Sequence, residues 1–415
     1  MIKNSRLIAF ETLYKIFYEG SYSNIVLDSA IENITEDKAF ISALVYGVCE
    51  RCITLDYFID KYIGDMRLKP KIRVILRLGA YQLLYMDKIP ARAAINESVK
   101  LAKEIKQNYY TKLINAVLHK IDEDREIPDD LHIKYSVPRN LINMWIKQYG
   151  KENVEAFLPC VNGRPPVFAV ANRLYLDEEE LLYELMCDDI YGEVCNHTVS
   201  IKSRFDLKKS KAFKNGLFYI EDLSSYECAK ALNAKPGETV LDMCSAPGGK
   251  AFGIAQDMKN SGTIYCFDLY EQRLNLINEG AERLGIDIIK TKVNDACVYN
   301  ENIVCADKIL CDVVCSGFGI IRRKPEIRYK ELDSVKSLPE IQLNILTTSS
   351  KYLKKGGTIV YSTCTLNKKE NENVVKAFLN ENKDFILKEE KTVFPSENGG
   401  DGFYYAVMTK NENGY

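Results

Sequence analysis

The sequence predicts a multidomain chain: an all-α helical bundle, then a small α+β segment, then an α/β domain on a mainly parallel, doubly wound sheet. Three observations predict it. Apolar residues recur at helical spacing from Ser5 to about Asp122. The run "EDREIPDDLHIKYSVP", Glu123 to Pro138, breaks that spacing with charge and proline. From about Glu221 onward short β-rich runs alternate with helical ones, the pattern of βαβ units. A chain of 415 residues also exceeds one ordinary core.

In order along the chain, "RLIAFETLYKIF", "KAFISALVYGVCERCITLDYFIDKYI" and "INESVKLAKEI" carry the bundle, with almost no strand alternation. The polar break puts a first boundary near residue 130. A helix at Leu141 to Tyr149 follows, and "RPPVFAVANRL" and "GLFYIED" read as strands with helices between them. Beyond these, "ETVLDMC", "GTIYCFDL", "IIKTKVND", "ADKILCDVV" and "GGTIVYSTC" read as five strands, separated by helices such as "YEQRLNLINEGAERLG" and "PEIQLNILTTSSKYLKKG". The expected domains are 1–130, 131–220 and 221–415.

With 46% hydrophobic and 27% charged residues the composition is that of a globular protein. Lys and Arg total 56 against 58 Asp and Glu, so any surface for nucleic acid must be local. No export signal or membrane-length apolar run stands out, so a cytoplasmic chain with no membrane partner is expected. Thirteen scattered cysteines without a signal peptide are expected to be reduced, mostly as buried fillers. Cys49 and Cys52 form a C-x-x-C with no second pair and three histidines in the whole chain, so no metal is expected.

In an open α/β sheet, ligands bind beyond the carboxyl ends of the strands. The first such exit reads "VLDMCSAPGGKAFGIAQ", where Gly248 and Gly249 permit a tight turn into a helix with free N–H groups. Neither the P-loop nor the G-x-G-x-x-G spacing is present. Asp268, ending the next strand, suits ribose hydroxyls, and Asp295, ending the third, suits the base edge of a nucleoside; helix capping is the bland alternative for each. The fourth strand ends at Asp312 and leads to Cys315, and the fifth ends at Thr363 and leads to Cys364, so two thiols face one crevice. A thiolate adding at carbon 6 of cytosine would make carbon 5 nucleophilic while Asp312 engages ring N3, and a second group nearby would remove the proton from carbon 5.

"YIEDLSS", "VLDMCSAPGGK", "CDVVCSGFGIIRRKPEIRY", "YSTCTLNKKENENVV" and "DGFYYAVMTK" resemble the ordered motifs of the RNA cytosine-5 methyltransferases that use S-adenosylmethionine on a Rossmann-like domain. "RVILRLGAYQLLYMDKIPARAAINESVKLAKEI" and "LINAVLHKI" are similar to the RNA-binding helical domain of the NusB type. The pairing resembles the bacterial RsmB (Sun, Fmu) group. That resemblance implies methylation of 16S ribosomal RNA, naked or in an early small-subunit assembly, by a monomer. It implies Cys364 as nucleophile, Cys315 as releasing cysteine and Asp312 as contact to the target base. It also implies Cys244, Ser245, Ala246, Pro247, Gly248, Gly249 and Lys250 as the cofactor loop, Asp268 as ribose acid, Asp295 as adenine-side acid and Arg273 as support. Arg322, Arg323 and Arg328 match a basic run that would hold RNA phosphates, and Asn172 of "VAN" a further RNA contact.

The chain departs from the family's pattern in having Val313 and Val314 where alanine and proline are usual, Phe318 in place of a threonine, and Val170 in place of an arginine. A second reading, an RNA-binding assembly or antitermination factor with weakened or lost transfer, follows from those changes. A protein or small-molecule methyltransferase shares the cofactor loop but gives no reason for paired strand-end cysteines.

Overall fold

The helical spacing of the first third becomes helices Ser5–Tyr18, Ser23–Ile31, Lys38–Ile63, Pro70–Tyr85, Ala91–Glu104 and Thr111–Glu123 in the computed structural model, which describes residues 4–32, 34 and 36–412. Their apolar faces share one core that includes Leu13, Leu44, Phe58, Ile75 and Leu118. Cys49 and Cys52 are buried on helix Lys38–Ile63 as free thiols.

Two compact units make up the chain, Met1–Arg164 with Ile321–Glu331, and Pro165–Ile320 with Leu332–Tyr415. The division between these units falls at Arg164. The polar break contains a short helix, Leu131–Tyr135, whose N-terminus is capped by the Asp130 carboxylate accepting from the His132 and Ile133 N–H groups. The reason the first unit extends so far is Arg328. Its buried guanidinium donates to the carbonyls of Glu50 (3.0 Å), Ser136 (3.2 Å), Val161 (3.0 Å) and Ile321 (3.2 Å) and to the Asn162 side chain (2.8 Å).

In the second unit, β1 (Val167–Ala171), β2 (Gly192–Cys195), β3 (Thr198–Ile201) and β4 (Phe218–Ile220) form an antiparallel sheet in the order β2-β3-β1-β4. One face of it packs on helix Glu178–Cys187 through Leu181 and Leu185. Phe168, Val170 and Tyr219 join the core of the larger sheet, so the strands of the α+β segment expected at 131–220 belong to this unit.

The larger sheet comprises β5 (Thr239–Asp242), β6 (Thr263–Asp268), β7 (Ile289–Val293), β8 (Ala306–Asp312), β9 (Leu353–Thr363), β10 (Phe385–Val393) and β11 (Phe403–Lys410) in the order β10-β11-β9-β8-β5-β6-β7. β5 to β9 run parallel, and β11 and β10 close one edge antiparallel. Helices on both faces bury the sheet, as the crossovers between parallel strands require.

Candidate active site

β5 is flanked by β6 on one side and β8 on the other, so crossovers leave it in opposite directions and open a crevice beyond its carboxyl end. Cys244 to Lys250 turn there into helix Gly249–Asp257. Ser245 fixes the turn twice, its N–H donating to the Phe267 carbonyl (2.8 Å) and its hydroxyl to the Asp242 carbonyl (2.7 Å). Gly248 has a φ of +112°, which favours glycine, and the helix it precedes has no side-chain cap, leaving its first N–H groups for a ligand.

Asp268, 4% exposed, ends β6 and pairs with Arg273 at 2.8 Å, and Arg273 also donates to the Ala246 carbonyl at 2.9 Å. The arginine thus ties the strand-end acid to the loop. Asp295 lies two residues past the end of β7 instead of ending it; it is exposed and accepts from the Cys297 N–H at 2.9 Å. The N–H of neighbouring Asn294 donates to the Asp268 carbonyl (3.1 Å), which brings that loop to the end of β6. Among the described residues the Asn294 Nδ2 and both carboxylate oxygens of Asp242 are buried without hydrogen-bond partners. A strand-end carboxylate, free helix N–H groups and an orphan amide donor suit the ribose, amino-acid and base parts of S-adenosylmethionine. Asp242 is 1% exposed, and desolvation, reinforced by Asp312, pushes its pKa from 3.8 up to about 7.

Asp312 ends β8 with both oxygens engaged: Oδ1 accepts the Ser362 hydroxyl (2.8 Å) and Oδ2 the Lys250 ammonium (2.7 Å). Lys250, expected among the cofactor-binding residues, is thus directed at the Asp312 carboxylate. Burial opposes its charge, but the Asp312 and Glu221 carboxylates override that and hold its pKa above the ordinary lysine value. Burial raises the pKa of Glu221, against the pull of Lys250. A side chain at Gly249 would meet Glu221 Oε2, the end of a side chain that would have to shift to make room.

Past the ends of β8 and β9 the Cys315 and Cys364 sulfurs stand 3.3 Å apart as free thiols. The loops that carry them are bonded to each other. The Val313 N–H donates to the Ser362 carbonyl (3.0 Å), the Gly319 N–H to the Cys364 carbonyl (3.1 Å), and the Ser316 and Thr365 hydroxyls meet at 2.6 Å. The turn lacks the proline usual in the resembled family; the Gln342 side chain holds it instead by donating to the Val314 carbonyl at 2.9 Å. The contact with Cys364 and then burial push the Cys315 pKa well above the ordinary thiol range.

Three residues read as RNA contacts stand elsewhere. Asn172 is 0% exposed, and its amide donates to the Gly216 and Leu284 carbonyls, both at 2.8 Å. Arg328, 1% exposed, gathers carbonyls of the first unit and has no surface to offer a phosphate. Arg322 is half-buried and donates to the Arg164 carbonyl at 2.9 Å. Arg323 is half-buried. Sequence reasoning gave no role to Glu221, Asp242, Gln342, Ser362 or Glu370, although "YIEDLSS", "VLDMCSAPGGK", "PEIQLNILTTSSKYLKKG" and "YSTCTLNKKENENVV" carry all five.

Among the described residues, no group of three or more His, Cys, Asp or Glu side chains is placed to hold a metal, and no helix is long and apolar enough to cross a membrane. Two family models match the chain: "16S rRNA methyltransferase RsmB/F" over residues 229–409 and "NusB family" over 3–123. A Bacillus subtilis relative, "Probable ribosomal RNA small subunit methyltransferase B", is 36% identical over 98% of both chains. The crystal structure of PH0851 superposes with a TM-score of 0.82 at 26% identity, covering 99% of this chain and 100% of that one. A methyltransferase homolog from Pyrococcus horikoshii gives a TM-score of 0.60 at 26% identity over 68% of this chain and 98% of its own.

Proposed function

Because this chain belongs to the 16S rRNA methyltransferase RsmB/F family, we propose that it methylates carbon 5 of a cytosine in small-subunit ribosomal RNA through a Cys364 adduct that Cys315 helps to release. S-adenosylmethionine, when bound, supplies an electrophilic methyl group. The Cys364 thiolate adds to carbon 6 of the ring as the Asp312–Lys250 pair delivers a proton to N3, and the electron density raised at carbon 5 takes the methyl. Cys315, having given its own proton to solvent, then takes the proton from carbon 5 while the Asp312–Lys250 pair takes back the proton on N3; the carbon 5–carbon 6 double bond re-forms, and the Cys364–carbon 6 bond breaks with the sulfur leaving as thiolate.

The observation that carries this reading is the 3.3 Å separation of two free thiols beside an aspartate that is bonded to a buried lysine. Electrostatics support the order of events. The contact with Cys364 is the first cause of the raised Cys315 pKa, ahead of burial. Once that sulfur is bonded to carbon 6 this cause is removed, which eases ionisation of Cys315 at the step that needs a base.

The test is methyl transfer from labelled S-adenosylmethionine to unmodified small-subunit RNA by wild type, Cys364→Ala and Cys315→Ala, with denaturing gels to catch protein bound covalently to RNA. Wild type should modify a cytosine, Cys364→Ala should be inactive without adduct, and Cys315→Ala should accumulate adduct. RNA and cofactor binding with no transfer would instead favour the assembly-factor reading, for which Val313 and Val314 are the supporting departures. An expectation that goes with the proposal is a monomeric, cytoplasmic enzyme acting on naked RNA or an early small-subunit particle.

A further inference from the structure

The mechanism above leaves Glu370 without a task, although it is fully buried and lies shortly after Cys364 in the chain. Its Oε2 accepts from the Ser316 N–H (2.8 Å) and the Gln342 amide (3.1 Å). Its Oε1 accepts from the Ser316 hydroxyl (2.6 Å) and the Asn367 amide (2.8 Å). With amide donors already on both oxygens, the carboxyl group acts as acceptor throughout, so the hydroxyl proton of Ser316 points to it. Thr365 must then be the donor in its 2.6 Å contact with Ser316, and its own oxygen accepts from the Phe318 N–H at 3.2 Å. The chain of bonds has one direction, from Phe318 to Thr365 to Ser316 to Glu370, and it links the residue after Cys315 to the residue after Cys364.

The two cysteine loops do not depend on this group equally. Asn371 holds the Cys364 loop by accepting from the Thr363 hydroxyl (2.6 Å) and donating to the Thr365 carbonyl (2.9 Å), a hold that does not pass through the Glu370 carboxylate. On either side of Cys315, by contrast, Ser316 is bonded directly to Glu370 and the Val314 carbonyl is held by Gln342, which is itself bonded to Glu370. We infer that Glu370 is a positioning residue for the release step: it holds the Cys315 thiol where it must meet the proton on carbon 5, and acts on Cys364 only at one remove. The inference rests on the two-thiol reading.

Glu370→Gln puts an amide donor where amide donors already point, at nearly constant volume. Turnover should fall by about tenfold or more while the first round of methyl transfer stays within about threefold of wild type, and adduct should accumulate on denaturing gels. Thr365→Val breaks the same chain without touching a charge and should show a smaller accumulation. A merely structural role for Glu370 would lower the melting temperature and depress first round and turnover together, with no adduct, and would overturn the inference. If Glu370→Gln fails to fold, judged by loss of cofactor binding, Thr365→Val decides by the same readouts. Cys315→Ala, run in parallel, separates the two levels. No adduct from Cys315→Ala sinks the two-thiol reading. Adduct from Cys315→Ala but from neither other variant sinks the positioning inference alone.

Discussion

Substituting Arg328 by methionine distinguishes a phosphate contact from an internal brace. The methionine keeps most of the apolar stem and removes every N–H that now reaches the carbonyls of Glu50, Ser136, Val161 and Ile321 and the Asn162 side chain. Those acceptors are left facing a thioether in a site where the wild-type residue is 1% exposed. A single buried polar group left unpaired costs about 1–3 kcal/mol, and breaking a buried charged cluster about 3–5 kcal/mol. Relaxation and entering water will recover part of the sum, so about 4 kcal/mol is expected, against roughly 5–15 kcal/mol for a typical domain. That corresponds to a melting temperature roughly 10 °C lower. The assay is built into the sequence: the chain has a single tryptophan, Trp145, fully buried in the first unit, so its fluorescence in urea reports on that unit. Arg328→Lys should fare little better, because a compact ammonium cannot reach acceptors that a planar fork spans. The reasoning is refuted if Arg328→Met unfolds within about 1 kcal/mol of wild type while RNA affinity drops and its salt dependence weakens by about one charge.

Three further outcomes are expected. Lys250→Met removes the ammonium that Asp312 and Glu221 share, and should slow a single round of methyl transfer by roughly 10²–10⁴-fold, measured with saturating RNA; an unchanged rate would remove the pair from the proton path. Gly319→Ala would drive a Cβ into the Gly402 carbonyl and within 2.8 Å of the Cys364 carbonyl, so adduct formation should be lost while S-adenosylmethionine binding by calorimetry is kept. Asp242 has a folded pKa raised from 3.8 to about 7, so the stability it confers is complete below pH 4 and declines as pH rises through 7. Relative to Asp242→Asn, the cofactor-free wild type should lose up to about 1.4 kcal/mol per pH unit across that window; parallel curves would contradict the shift.

What could be read from the sequence follows from which signals are local. The helices of the first unit repeat their apolar positions every turn, and the strand-end residues Asp268, Asp312, Cys315 and Cys364 sit next to β-rich runs, so both were visible. β10 was not, because "FILKEEKTV" is an edge strand that exposes a row of charges and shows no alternation. Glu370 was quoted in its motif but given no role, because its donors come from residues 316, 342 and 367, which only the fold brings together. Arg328 and Asn172 mislead for the reverse reason: a charge run and an isolated amide look the same whether the chain later turns them outward or encloses them.

The segment Ile321–Glu331 has a consequence for the order in which the protein is made. Synthesis runs from the N-terminus, yet the first unit includes residues that emerge only after β5 to β8 of the second have been translated. At about 5–20 residues per second, the roughly 170 residues between Arg164 and Glu331 delay completion of that unit by some ten to thirty seconds. During that interval water must serve the carbonyls that Arg328 will later take. A nascent chain arrested before residue 328 therefore lacks the guanidinium that gathers the Glu50, Ser136 and Val161 carbonyls in the finished unit.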